Sequence, residues 1–167
     1  MAPPDIYNVF IVTLSDRASK GHYDDLSGRS IEEVVITFFI SINAQYRIER
    51  ILIPDDSRTL KQKILKASQN CDLIFTTGGT GIGPRDITVE TIKPLLDKEI
   101  PGVMEFIRVK YGFEKPNALL SRSIAGIIGK CLVYTLPGSP KAVEEYMSEI
   151  IKTLEHTLQM LYGLDTH

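Results

Sequence analysis

Four glycines fall within six positions, Gly78, Gly79, Gly81 and Gly83, and the segment ends on Arg85 and Asp86. An apolar run, Leu73-Ile74-Phe75-Thr76, leads into it and reads as a buried strand. Glycines let main-chain N–H groups approach a ligand with no side chain in the way. A loop of this kind after a buried strand suits an anion, most often a phosphate. It matches neither of the common phosphate cradles. Pro84 and Arg85 stand where a Walker A loop needs Lys and Ser or Thr, and Pro84 takes the third glycine's place in the dinucleotide fingerprint. A tight turn without a ligand is the alternative reading of the loop alone.

Polar residues gather at three further places. Ser15-Asp16-Arg17, Asp55-Asp56 and Pro137-Gly138-Ser139-Pro140 each follow an apolar run. Asp55 and Asp86 are candidate magnesium or polar-ligand residues, since two carboxylates near bound phosphates suit a hard cation that keeps several waters. Helix capping is the competing role for both, and for Asp16. Arg17, Arg85 and Arg122 could each grip phosphate oxygens with two parallel N–H groups, or be solvated surface residues. Ser121 and Ser123 flank Arg122. No histidine lies in these clusters, so a Ser-His-Asp hydrolase has little support. Lys61, Lys63 and Lys66 read as a solvated helix face. Glu144 and Glu145 suit the dipole at the start of the last helix.

The elements that must hold these clusters alternate. Tyr7–Leu14 reads as a strand buried on both faces, followed by a polar loop from Ser15 to Gly28. A helix is predicted from about Ser30 to Ile42, with Ile31, Val34, Val35, Phe38, Phe39 and Ile42 on one stripe. Ile36 and Ile40 lie off it, which suggests deep burial or a partner subunit. Tyr46–Ile53 is the second strand, and Ser57 is placed to cap a helix carrying Leu60, Ile64 and Ala67. Helices are expected near Thr88, with Val89, Ile92 and Leu95 inward and a kink at Pro94, and from Pro101, with Val103, Phe106, Ile107 and Lys110 at helical spacing. Ile124–Ile128 and Leu132–Leu136, separated by Gly129-Lys130, read as a hairpin. Ser139 and Pro140 fit the cap and first position of a last helix with Val143, Tyr146, Met147, Ile150, Leu154 and Leu158 inward. The expected architecture is a three-layer α/β sandwich, mostly parallel with an antiparallel hairpin. Strand carboxyl ends share one edge of such a sheet, so the polar clusters should meet there.

At 167 residues the chain suits a single domain spanning 1–167, and 43% hydrophobic with 24% charged residues is a globular profile. A formal net charge of −2 gives no global field for nucleic acid. Cys71 and Cys131 border apolar runs, are expected to be reduced core residues, and show no zinc spacing with His22, His156 or His167. Met1-Ala2-Pro3-Pro4-Asp5 does not read as a secretory leader, and Val34–Ile42 is too short to span a bilayer, so a cytoplasmic protein is expected.

Together these residues resemble the molybdopterin adenylyltransferases of molybdenum-cofactor biosynthesis. The likeness runs from about Tyr7 to Leu161 and rests on Leu14-Ser15-Asp16-Arg17-Ala18-Ser19, Leu52-Ile53-Pro54-Asp55, Thr77-Gly78-Gly79-Thr80-Gly81 with Pro84-Arg85-Asp86, Leu120-Ser121-Arg122-Ser123 with Ala125-Gly126, and Leu136-Pro137-Gly138 with Pro140. It implies the molybdopterin-binding-domain fold, usually a homotrimer, and transfer of AMP from ATP to the terminal phosphate of molybdopterin with release of pyrophosphate. It further implies Mg2+, with Asp55 and Asp86 as the functional aspartates and metal ligands. Ser15, Asp16, Thr77, Gly78, Gly79, Thr80, Gly81, Arg85, Ser121, Arg122, Pro137 and Gly138 would bind substrate, Ser121 on the pterin side and Pro137-Gly138 on the nucleotide side. Other cofactor-biosynthesis proteins are implied as partners. A non-catalytic molybdopterin-binding protein of the same superfamily is the alternative. Two departures stand out: Val89 where the family commonly has proline, and Ile127-Ile128 where related chains can carry an arginine.

Overall fold

A continuous apolar run flanked by polar turns forms a strand when both its faces can be covered, and β1 (Ile6–Leu14) is such a strand. A computed structural model describes residues 3–22 and 24–164. Met1 and Ala2 of the N-terminal reading, and His167, lie outside the described residues. The sheet has six strands in the order β2-β1-β3-β6-β5-β4. Its parallel part is β1, β2 (Gln45–Ile53), β3 (Leu73–Thr77) and β6 (Cys131–Leu136). The predicted hairpin is present: β5 (Ala125–Ile128) pairs antiparallel with β6, and Gly129-Lys130 makes the turn between Ile128 and Cys131. A two-residue edge strand not foreseen from the sequence, β4 (Lys98–Glu99), pairs antiparallel with β5.

Alternate β1 residues enter two different cores, as the period-2 geometry of a strand requires. Val9 and Ile11 join Leu73, Phe75, Leu132 and Tyr134 beneath α2 (Leu26–Ser41), α5 (Pro101–Gly112) and α6 (Pro140–Leu161). Phe10, Val12 and Leu14 join Ile74 and Val133 beneath α3 (Ser57–Ala67) and α4 (Thr88–Ile92). This is the expected three-layer sandwich. The remaining elements are a single turn, α1 (Asp16–Ser19), and two 3-10 turns, Lys93–Leu95 and Pro116–Leu120. Among the described residues no helix is long and apolar enough to cross a membrane.

Some expectations need correction. α2 begins at Leu26 instead of Ser30, because Asp25 caps it by accepting the Gly28 N–H at 2.8 Å. Asp56, not Ser57, caps α3, accepting the Thr59 N–H at 2.7 Å. At Pro94 the chain tightens from α4 into the 3-10 turn Lys93–Leu95. Phe106 points outward from α5, because Met104 and Ile107 take the core-facing positions. Cys131 is buried and Cys71 half-buried, both as free thiols. Burial pushes both thiols above their ordinary titration range.

Candidate functional site

Each parallel strand releases its chain at the same edge of the sheet, and the loops found there wall one cleft of about 1320 Å³. After β1 come Ser15, Asp16 and Arg17, and after β2 comes Asp55. After β3 come Gly78 to Ile82, Arg85 and Asp86, and after β6 come Pro137 to Pro140. Ser121 joins from the segment before β5.

The first two loops are tied through their aspartates. Ser15 N–H donates to Ile53 O at 3.0 Å, continuing the β1–β2 ladder one step beyond the strands. The Asp16 N–H then donates to Asp55 Oδ2 at 3.1 Å, and the Asp55 N–H to Asp16 Oδ1 at 2.9 Å. Two carboxylates this close need a positive partner. Arg85 supplies it from the glycine loop, pairing with Asp16 and standing 3.7 Å from Asp55 Oδ2. Ser15 caps α1, accepting the Ala18 N–H at 3.1 Å.

The glycine loop is shaped by close approach. Gly78 has φ +100°, and a Cβ there would lie 2.4 Å from Leu14 O. Thr88 Oγ1 donates to Gly78 O at 2.8 Å and Thr88 N–H to Gly79 O at 3.0 Å, so α4 docks onto the loop. Buried Thr77 donates its hydroxyl to Pro137 O at 2.7 Å, joining the β3 and β6 loops. The N–H groups of Gly79, Thr80, Gly81 and Ile82 have no acceptor among the described residues, and all four residues line the cleft. Consecutive unpaired N–H groups are what an anion needs.

Neither Asp55 nor Asp86 caps a helix. Asp56 holds the α3 cap, and α4 has no side-chain cap bond. The Asp86 carboxylate accepts the Gly83 N–H at 2.8 Å and so closes its own loop. Asp16, Asp55 and Asp86 all line the cleft, and carboxylate oxygens suit a magnesium ion, which takes one or two carboxylates and leaves the rest of its shell to water and substrate phosphate. Among the described residues no three His, Cys, Asp or Glu side chains stand together so that they could hold a metal ion, so protein ligands to such an ion would number at most two.

Arg122 is the one expected substrate residue that does not line the cleft. Its Nε donates to Gly81 O at 2.6 Å, its Nη2 to Asp86 O at 3.2 Å, and the guanidinium pairs with Glu90. The pairing draws the Glu90 carboxyl below its ordinary value, through the hydrogen bond first. The Ser121 and Ser123 hydroxyls stand 3.0 Å apart, with Ser121 on the cleft wall.

Sequence reasoning missed the far wall. Asp25, its side chain only 8% exposed, accepts from Thr13 Oγ1 at 2.8 Å and from Arg50 Nη1 at 3.0 Å. Ser27 donates its hydroxyl to Gly138 O at 2.8 Å, fastening the start of α2 to the β6 loop. Asn117 and Leu120 line the rim. The acidic pair Asp24-Asp25 before Leu26 was the available capping signal for that wall.

Residues 10–156 match the model of a family described as "Probable molybdopterin binding domain". A molybdopterin adenylyltransferase of Helicobacter pylori strain J99 is 35% identical over 159 residues, covering 93% of this chain and 88% of that protein. The protein of the same name from Escherichia coli K12 is 34% identical, covering 84% and 71%. Among solved structures, the molybdopterin biosynthesis enzyme MoaB of Thermus thermophilus superposes with a TM-score of 0.83 at 34% identity, covering 94% of this chain and 97% of that one. The tungsten cofactor synthesizing protein MoaB of Pyrococcus furiosus gives 0.81 at 34%, covering 95% and 98%.

Proposed function

Because the chain belongs to the probable molybdopterin binding domain family, we propose that it is a molybdopterin adenylyltransferase, residues 1–167 acting as one unit. An oxygen of the molybdopterin phosphate attacks the α-phosphorus of ATP. The new P–O bond forms as the bond from that phosphorus to the bridging oxygen breaks, and pyrophosphate leaves with the electron pair. Charge is the obstacle, since two anions must approach. Alignment and preorganised positive groups therefore supply the catalysis, and no protein nucleophile is required.

One observation carries this reading: loops distant in sequence wall a single cleft lined by four residues whose N–H groups have no acceptor among the described residues and by an Asp16–Asp55–Arg85 cluster. The Gly79 to Ile82 N–H groups would receive nucleotide phosphates. Mg2+ would be held by Asp55 and Asp86, with Asp16 beside them, and would neutralise phosphate charge when bound. Thr77, Gly78, Pro137 and Gly138 hold the loops in contact on the nucleotide side, and Ser121 stands on the pterin side. A trimer is part of the same reading. Phe106 and Val109 on α5 and Phe113 at its C-cap are all exposed, which supports a covered surface there.

Incubation with ATP, Mg2+ and molybdopterin should release pyrophosphate and yield adenylylated molybdopterin. Pterin binding with no ATP turnover by folded protein would replace this conclusion with a carrier role. Asp86→Asn should lower turnover at least ~100-fold, because one lost charge contact in a site shielded from water costs several kcal/mol.

A further inference from the structure

One side chain grips the glycine loop from outside the cleft. Arg122 follows the 3-10 turn Pro116–Leu120 and reaches that loop with its main-chain N–H, its Nε and its Nη2. Its main-chain N–H donates to Thr80 O at 2.9 Å. Its Nε donates to Gly81 O at 2.6 Å and its Nη2 to Asp86 O at 3.2 Å. Glu90, in the first turn of α4, completes the grip by pairing with Nη1 and by accepting from Nη2 at 3.3 Å.

Planar trans peptides give these contacts a consequence. Within one peptide unit the C=O and the next N–H point in opposite directions. Thr80 O turned toward Arg122 sends the Gly81 N–H the other way. Gly81 O turned toward Arg122 does the same for the Ile82 N–H. Both N–H groups lack an acceptor among the described residues, and both residues line the cleft. Gly81 is free to follow this dictation because no β-carbon resists it. A Cβ at that position would lie 2.7 Å from Asp86 Oδ2.

We infer that Arg122 is a positioning residue for the anion site: it touches no substrate, its main-chain N–H aims the Gly81 N–H at a phosphate, and its guanidinium, its plane fixed by Glu90, aims the Ile82 N–H there. The inference rests on the reading of the loop as the phosphate-binding element. It also explains why a substrate-binding arginine predicted from sequence stands off the cleft wall.

The test is titration of the protein with inorganic pyrophosphate, by calorimetry and by 15N amide spectra. In the wild type the Gly81 and Ile82 amide resonances should shift on binding. In R122A, pyrophosphate should bind at least ~10-fold more weakly, the Ile82 shift should vanish while the Gly81 peptide keeps its main-chain contact, and methylguanidinium should restore part of the affinity. R122K should not restore it, since one ammonium cannot serve the Gly81 and Asp86 carbonyls and Glu90 together. E90Q, which keeps the contact and loses the charge, should weaken binding a few-fold. A merely structural arginine would lower the melting temperature while leaving affinity and amide shifts in the folded fraction unchanged. That result in R122A, or in R122K should R122A fail to fold, overturns the inference. Wild-type protein that binds pyrophosphate with these shifts but adenylylates nothing would sink the proposed function and leave this inference standing.

Discussion

Asp16 and Asp55 each accept the other's main-chain N–H, at 2.9 and 3.1 Å, so the ends of β1 and β2 are joined by side chains where the ladder stops. The exchange turns two carboxylates toward one point and makes their charge part of the fold. Arg85 answers that charge from a third loop. Structure and chemistry are therefore coupled here, and substitutions can separate them.

Asp55→Asn keeps an oxygen able to accept the Asp16 N–H but removes the charge. Turnover should fall ~100-fold or more with little change in the unfolding midpoint. Asp55→Ala removes the acceptor as well and should also cost about 1–3 kcal/mol of stability, the penalty of an unsatisfied N–H. Denaturant unfolding beside a pyrophosphate-release assay checks both. An Asn variant with full activity would show Asp55 to be a strand clip alone.

Glycines of similar backbone shape should differ sharply in tolerance. Gly78→Ala would place a methyl 2.4 Å from Leu14 O at φ +100°. The neighbour is main chain inside a parallel ladder and has no room to yield, so a loss of about 2 kcal/mol or more is expected. Gly129 also has positive φ, +60°, with nothing near its β position. Gly129→Ala should cost only about 1 kcal/mol, the left-handed backbone penalty. Equal melting temperatures for the two variants would contradict the contact geometry.

Strands and layers were legible because burial writes a strong pattern: β1, β3 and β6 are apolar runs, and α6 keeps its stripe from Val143 to Leu158. The glycine loop and its convergence with Ser15, Asp16 and Asp55 followed from position at the strand ends. Asp25 was less visible, because a capping carboxylate several residues ahead of the apolar stripe looks like one more polar loop residue. The contacts of Arg122 were hidden for a different reason. Its type announces an anion, yet its partners are carbonyls of the loop and the Glu90 carboxylate, and only the fold brings Glu90 to it. The edge strand Lys98–Glu99 has two residues and no apolar pattern to read.

Glu149 gives the molecule an acid limb. It is 7% exposed on α6 and binds Lys110 of α5 at 2.6 Å and Lys152 at 2.8 Å. Those hydrogen bonds, Lys110 first, hold its carboxyl down at about 2, from an ordinary value of 4.5. A depressed carboxyl contributes stability that is complete above its unfolded value and fades as pH falls toward its folded one. The α5–α6 contact should therefore weaken between about pH 4.5 and about pH 2. Glu149→Gln should flatten the stability curve across that window and lower it above. Urea midpoints measured at several pH values decide this, and parallel curves for the two proteins would rule Glu149 out as the cause.

Arg85 is the remaining discriminator, because its removal should move two affinities in opposite directions. Its side chain is 66% exposed, so its pairing with Asp16 and Asp55 contributes at most about 1 kcal/mol to stability. Removing it should leave the melting temperature nearly unchanged. Its effect on binding should be larger and should depend on the charge of the ligand. Arg85→Ala strips the counter-charge from two adjacent carboxylates, so a divalent cation alone, probed with Mn2+, should bind several-fold more tightly. The same change removes a cation from the cleft, so ATP in the presence of Mg2+ should bind several-fold more weakly. An arginine that only decorates the surface would move neither affinity. A drop in both would mean that Asp16 and Asp55 need Arg85 to keep their shape, and that the acidic pair does not receive a cation by itself.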